Sequence, residues 1–266
     1  MQEGIAAHGE GNYAAAALAY AAALEQAQGF GDRDRRLADT ANNLASVYRA
    51  QARYADAEPL YRQSLAIYER VLGPRHASVG TACNNLAVAL ELQGRYAEAE
   101  LLYRRSLSIS SPSSAAAPLL NLARLYTTLG RFAAADPLAM RGLATVSKTL
   151  GATHPSTAAA LAYVARLRLA QGRLADADTF ASRSLAIYEA QLSADHPNTA
   201  LALHTLAELR RAQLRPREAE PFYLRALDLR VRAFGREHPE SVATRVALFA
   251  LYRDQGRRAE AEALFR

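Results

Sequence analysis

The sequence has 266 residues, a net charge of +6 at pH 7 and 50% apolar residues, among which alanine dominates. No apolar run approaches the roughly 20 residues that a membrane-spanning helix needs, and the basic residues are spread along the chain rather than clustered as in a nucleic-acid-binding surface. These features exclude a membrane span and argue against a nucleic-acid partner.

Apolar residues recur with the period of an α-helix along the whole chain. In 81–108, Leu86 lies on one helix face, Gly94 marks a turn, and Ala99 and Tyr103 lie on one face of a second helix. Two helices joined by so short a turn form an antiparallel hairpin. One hairpin cannot bury its own apolar face, so copies must stack.

Seven copies of this pattern follow one another. The aligned turn residues are separated by steps of 41, 42, 36, 42, 42 and 42 residues, and in chain order they are Tyr13, Tyr54, Tyr96, Phe132, Leu174, Pro216 and Arg258. The sequence therefore predicts a single stack of helical hairpins over 1–266, with hairpins at about 1–30, 34–72, 76–110, 115–149, 155–192, 197–234 and 239–266.

One junction is irregular. The segment from Ser110 to Ser114 stands where other repeats have a longer connection, and six residues are missing relative to the usual step. We expect a shorter loop here, with helix packing that continues across it.

The repeated pattern N-L-A-x3-L-x3-G-R-Y-x2-A-x3-Y-x3-L resembles the tetratricopeptide repeat. The 42-residue period is similar to the kinesin-light-chain type, as are the phrases NNLA (42–45 and 84–87), AEPLYRQSLAIYE (57–69) and DHPNT (195–199). The resemblance implies an all-α, right-handed superhelical solenoid, a concave surface lined by the first helix of each hairpin, and a scaffold that binds other proteins.

A histidine precedes four of the predicted first helices, usually followed by proline. The copies are His76, His154, His196 and His238. Proline is pre-organised for the first turn of a helix, so the phrase predicts a helix start. Copies one repeat apart are separated by about two helix diameters, roughly 15–20 Å, so no two can share an ion and we predict no metal site.

The sequence contains no catalytic motif. It has no GxSxG, no glycine-rich phosphate loop, no HExxH and no CxxC. The single cysteine, Cys83, has no histidine close in sequence and is interpreted as a small buried apolar residue. We therefore predict a protein that is not an enzyme, with no catalytic residues and no cofactor.

Polar residues on the predicted first helices are the candidate peptide-binding site. Asparagine both donates and accepts hydrogen bonds and can read a peptide backbone, whereas arginine suits acidic side chains. The candidates are Asn42, Asn43, Arg49, Asn84, Asn85, Asn121, Arg124, Tyr163, Arg166, His204 and Arg211. The alternative is that each asparagine bonds across a helix interface. Known carboxylate-clamp repeats add lysine at inner positions. This chain has no lysine there, so we do not predict that it binds the ligands of carboxylate-clamp repeats.

These features predict a scaffold that binds an extended or helical segment with acidic residues in its concave groove. Replacing Asn85 and Arg124 together should then abolish capture while leaving the melting temperature close to native. The alternatives are a sensor or regulatory arm of a larger ATPase or protease, and a structural protein that self-associates through the ends of the stack.

Origin and compartment are also predicted. The bias to 31 arginines and one lysine, Lys148, is typical of a GC-rich bacterial coding sequence. MQEGIAAHGEGN lacks the basic start and apolar core of a signal peptide, and a lone cysteine excludes an internal disulfide. We expect a cytoplasmic protein, or a periplasmic one if a signal peptide was removed. The chain starts and ends inside repeats, as a piece of a longer protein would.

Overall fold

The computed structural model describes residues 2–9, 12–29, 31, 33–192 and 196–265. These residues form fourteen α-helices and no strand, and none of the helices is long and apolar enough to cross a membrane. The helices are α1 (Gln2–Gly9), α2 (Tyr13–Gln28), α3 (Arg35–Ala50), α4 (Tyr54–Leu72), α5 (Ala77–Leu92), α6 (Tyr96–Ile109), α7 (Ala116–Thr128), α8 (Phe132–Leu150), α9 (Pro155–Ala170), α10 (Leu174–Gln191), α11 (Thr199–Ala212), α12 (Pro216–Phe234), α13 (Pro239–Asp254) and α14 (Arg258–Ala263). The predicted all-α fold is confirmed, and each even-numbered helix begins at the predicted turn residue.

The helices divide into two compact units, residues 1–125 and 126–266, with the boundary inside α7. In the first unit α3 packs against α4 and α5 against α6, and α4 also contacts α5. In the second unit α9 packs against α10 and α11 against α12, and α10 also contacts α11. Each unit is thus built of hairpins that pack on their neighbours. The single stack over 1–266 remains a prediction.

Small and aromatic side chains at repeated positions form the cores of the hairpins. Ala57, Ala99, Ala177 and Ala219 are fully buried near the starts of the second helices, where a small side chain allows close approach of the first helix. One helical turn later, Tyr61, Tyr103 and Tyr223 are also fully buried. Leu86, predicted to lie in the core, is 1% exposed.

The histidines begin first helices by acting as caps. His76, His154 and His238 immediately precede α5, α9 and α13, and each Nδ1 accepts a backbone N–H from the residue two positions on, at 3.1, 3.0 and 3.3 Å. His196 makes the same contact with Asn198 at 3.1 Å, although α11 begins only at Thr199. The predicted helix start is confirmed at His76, His154 and His238, where the histidine side chain caps the helix.

Acidic residues at one repeat position join successive hairpins. Glu58 accepts a hydrogen bond from Arg95, which lies in the turn of the next hairpin, at 2.7 Å. Glu220 forms an ion pair with Arg257 at 2.5 Å. Arg210 reaches Asp178 at 3.1 Å from the end of a first helix. The carboxylates of Glu58 and Glu220 therefore each bridge two hairpins.

The irregular junction differs from the expectation of a shorter loop. The connection 110–115 is longer than the corresponding connections 73–76, 151–154 and 235–238. The missing residues come from the helices, since α6 has 14 residues where α4 and α8 have 19, and α7 has 13 where α5 has 16. The short step therefore reflects shortened helices rather than a shortened loop.

Candidate functional site

Asparagines from three first helices form a hydrogen-bonded ladder in the first unit. Asn85 Nδ2 donates to Asn42 Oδ1 at 3.0 Å and links α5 to α3, and Asn121 Nδ2 donates to Asn84 Oδ1 at 2.9 Å and links α7 to α5. Asn84 Nδ2 lies 3.4 Å from Asn85 Oδ1. All four side chains are half-buried. These amides contribute to helix packing, and each still has hydrogen-bonding capacity beyond the ladder.

A buried carboxylate lies beside the ladder. Glu91 is 6% exposed and accepts both guanidinium nitrogens of Arg124, at 2.5 and 2.9 Å, together with the Tyr103 hydroxyl at 2.8 Å. Burial raises the pKa of Tyr103, and the charges of Arg124 and Arg49 oppose that rise. Arg124 therefore already has a carboxylate partner within the chain. The expectation that its replacement leaves stability unchanged does not fit this geometry.

A cavity of about 560 Å³ with both polar and apolar lining residues lies against α1, α3, α4 and α5 in the same unit. The Tyr68 hydroxyl donates to Asp39 Oδ1 at 2.5 Å, and Arg35 lies 3.5 Å from the same carboxylate. Burial, followed by the hydrogen bond to Asp39, raises the pKa of Tyr68. The polar lining comprises Arg35, Asp39, Asn42, Asn43, Tyr68, Ser78 and Thr81. This cavity joins predicted residues to Asp39 and Tyr68, which the sequence did not single out.

The candidates of the second unit lie on two first helices that contact each other, α9 and α11. Arg166 is exposed and Tyr163 half-buried on α9, whereas His204 and Arg211 are half-buried on α11. His204 packs edge-on against the ring of Tyr223, with centroids 5.4 Å apart. Burial, and then the charges of Arg230 and Arg166, lower the pKa of His204 to about 3. Its imidazole is therefore neutral near pH 7.

Arg230 lies beside His204 and was not among the site residues predicted from the sequence. It lies on the second helix α12, is 5% exposed, and places Nη1 3.5 Å from His204 Nδ1. The repeat alignment could have identified Arg230, because the equivalent positions in two other repeats are the tyrosines Tyr68 and Tyr188, and both are buried. An arginine in a buried register indicates a polar site that the other repeats lack.

The two units differ in charge. Residues 1–125 contain 12 arginines and 12 acidic residues, whereas 126–266 contain 20 basic and 14 acidic residues. The net charge of +6 therefore belongs to the second unit. Its first helices carry Arg166 and Arg211, and neither side chain forms an ion pair within the described part of the chain.

Cys83 lacks the properties of a catalytic nucleophile. The thiol is fully buried, and burial raises its pKa to about 11, so it stays protonated near neutral pH. Across the described residues, no group of three or more histidine, cysteine or acidic side chains is arranged to hold a metal ion.

Repeated two-helix hairpins with short turns and polar first helices define a helical repeat protein. The tetratricopeptide repeat model matches residues 2–70, 36–111, 114–190, 160–230 and 199–266. The chain belongs to the tetratricopeptide repeat family, as the sequence pattern predicted.

Solved structures support the kinesin-light-chain resemblance. BtubC (BKLC) from P. vanneervenii is 21% identical, covers 84% of this chain and 92% of its own, and superposes with a TM-score of 0.64. A putative kinesin light chain from Podosopora anserina, with nearly identical repeats, is 26% identical, with 74% and 96% coverage and a TM-score of 0.57. Aspartyl phosphate phosphatase F from Bacillus subtilis shares the fold at 15% identity, with 98% and 66% coverage and a TM-score of 0.72. No curated protein matches the sequence.

Proposed function

We propose that this protein is an interaction scaffold that binds a segment of a partner protein along its first helices. We call the polar side of α3 and α5 the first-helix face of the first unit, and the polar side of α9 and α11 the first-helix face of the second unit. The observation that carries the proposal is the cavity lined by α3 and α5, where the side chains of Asn42 and Asn43 face a space that a peptide backbone can enter. Membership of the repeat family supports the same function.

The partner segment carries acidic residues in this proposal. Arg124 is paired with Glu91, so the first unit offers amide groups, the charge-neutral pair of Arg35 and Asp39, and the half-buried cation Arg49 on α3. The second unit carries the net positive charge and exposes Arg166 on its first-helix face. Guanidinium groups bind carboxylates through paired hydrogen bonds, and such binding weakens as salt rises.

Hydrogen exchange tests where the segment binds. A peptide selected from a random library on the full chain should slow amide exchange in α3, α5, α9 or α11 and leave α4, α6, α10 and α12 close to their unbound rates. The selected sequences should be enriched in aspartate and glutamate. Protection confined to the second helices would show that another surface binds, and the asparagine ladder would then be structural only.

A further inference from the structure

Arg230 is a buried cation with incomplete hydrogen bonding. Its Nη1 donates to the Glu240 carbonyl at 3.2 Å and to Thr244 Oγ1. Its buried Nε has no hydrogen-bond acceptor, although the half-exposed carboxylate of Glu240 lies 3.3 Å away. Because a guanidinium has five N–H donors and burial makes each unpaired donor costly, Arg230 retains donor capacity for an anion.

Two further groups of the second unit lie near this guanidinium. His204 Nδ1 is 3.5 Å from Arg230 Nη1 and 3.4 Å from Thr244 Oγ1. Burial, then the charge of Arg230, then the charge of Arg166 on the adjacent first helix lower the pKa of His204. Burial lowers the pKa of Arg230, Glu240 opposes that change, and Arg166 adds a smaller lowering effect.

Two acidic groups of the described chain lie around this cluster, and one of them, Glu240, forms an ion pair with Arg230 Nε at 3.3 Å. Glu208 accepts the hydroxyl of Tyr223. The side chain of Glu240 is 56% exposed, so its charge is screened by solvent. Arg166 has no ion-pair partner in the described chain. The surroundings of His204 are therefore electropositive, as expected for a site that accepts an oxyanion.

We propose that Arg166, His204 and Arg230 form an oxyanion-binding subsite that receives a carboxylate or phosphoryl group of the partner segment. The assignment of the oxyanion to a partner segment rests on the proposed scaffold function. The binding of an oxyanion by these three residues does not depend on that function. An entering anion favours the imidazolium form of His204, so binding raises the pKa of His204 above its value in the free protein.

Titration of the full chain with inorganic phosphate, followed by the imidazole NMR signals of His204, tests the subsite. We expect a saturable shift, a higher apparent pKa of His204 at saturation, and at least a roughly tenfold weaker response in Arg166→Gln. Arg183→Gln is the matched control, because Arg183 is an exposed cation on α10 that also lacks an ion pair in the described chain. An unmoved His204 signal, or equal weakening in both variants, would overturn the subsite.

A competition experiment with acetate distinguishes a carboxylate ligand from a phosphoryl ligand. Acetate that competes with phosphate at His204 supports a carboxylate ligand, whereas binding of phosphate alone supports a phosphoryl group. A selected peptide that binds the first helices of Arg166→Gln as tightly as wild type would overturn the subsite while leaving the scaffold intact. Phosphate binding at His204 without any peptide on the first helices would instead overturn the scaffold.

Discussion

Glu91 joins three helices through one buried carboxylate. It is the hydrogen-bond acceptor for Tyr103 of its own hairpin and Arg124 of the next. Removing one member of such a pair leaves an uncompensated charge away from water, which is usually more destabilising than losing an exposed ion pair.

We predict that Arg124→Ala lowers the free energy of unfolding by about 3 kcal/mol. The control, Arg104→Ala, removes an exposed ion pair with Glu100 and should change it by less than about 0.5 kcal/mol. Urea unfolding measures both. Equal losses would mean that the Glu91 pair does not contribute as its geometry indicates.

His204 gives the protein a specific sensitivity to acid. Its folded-state pKa of about 3 lies below the ordinary value of 6.5, so the unfolded chain takes up the proton first as pH falls. This contribution to stability is fully present above about pH 6.5 and is lost progressively towards pH 3.

Between pH 7 and pH 4.5 the wild type should therefore lose about 2 kcal/mol more unfolding free energy than His204→Gln, whose amide does not titrate. Other titrating groups are common to both proteins, so they cancel in this difference. Parallel pH profiles in urea unfolding would contradict a buried neutral His204.

The polar positions could be predicted from sequence, but their partners could not. The register of Asn43, Asn85 and Asn121 is visible as a repeat, yet the observed bonds join Asn42 to Asn85 and Asn84 to Asn121. Such pairing depends on how neighbouring helices are offset, which a repeat alignment does not contain. The ion pair of Arg124 was missed for the same reason.

At the level of elements, the hairpin turns share one backbone requirement. The residue two positions before each second helix from α4 to α14 has a positive φ. This residue is glycine at Gly94, Gly130, Gly172 and Gly256, and the same conformation occurs at Ala52 (φ 58°) and Leu214 (φ 59°). A side chain in this left-handed region costs roughly 1–2 kcal/mol. Leu214 is 88% exposed, so its side chain contributes little packing in return.

Leu214→Gly should raise the free energy of unfolding by about 0.5–1 kcal/mol, because relief of the strained φ exceeds the added chain entropy of glycine. Gly172→Ala, which places a side chain at the same turn position, should lower it by a similar amount. Thermal unfolding compares the two. A lower melting temperature for Leu214→Gly would show that the leucine has a stabilising contact.

Helix positions were predictable because turns and apolar spacing are local. The second helices begin where the turn pattern places them. The 110–115 connection was not predictable, because a 36-residue step gives the number of missing residues but not whether helix or loop lost them. The pairing of Arg95 with Glu58 likewise becomes visible only when successive hairpins pack together.

For the whole molecule, the repeat family follows from the sequence, but the distribution of binding chemistry does not. The sequence predicted asparagine and arginine as one mixed surface. In the structure, the first unit has amide groups and, within the described chain, one cation without an ion pair, Arg49, on its first helices, whereas the second unit has Arg166 and Arg211 there and carries the net positive charge. The bacterial origin, the sensor-arm alternative and self-association through the ends remain predictions.

The most direct test of the scaffold is the affinity of an acidic peptide, selected on the full chain, for two matched double variants. Arg166→Gln with Arg211→Gln removes cations from first helices, and Arg141→Gln with Arg183→Gln removes exposed cations from second helices. The first variant should lose about 100-fold in affinity and most of the salt dependence, whereas the second should bind as wild type does. Loss of binding in the second variant alone would contradict the first-helix site.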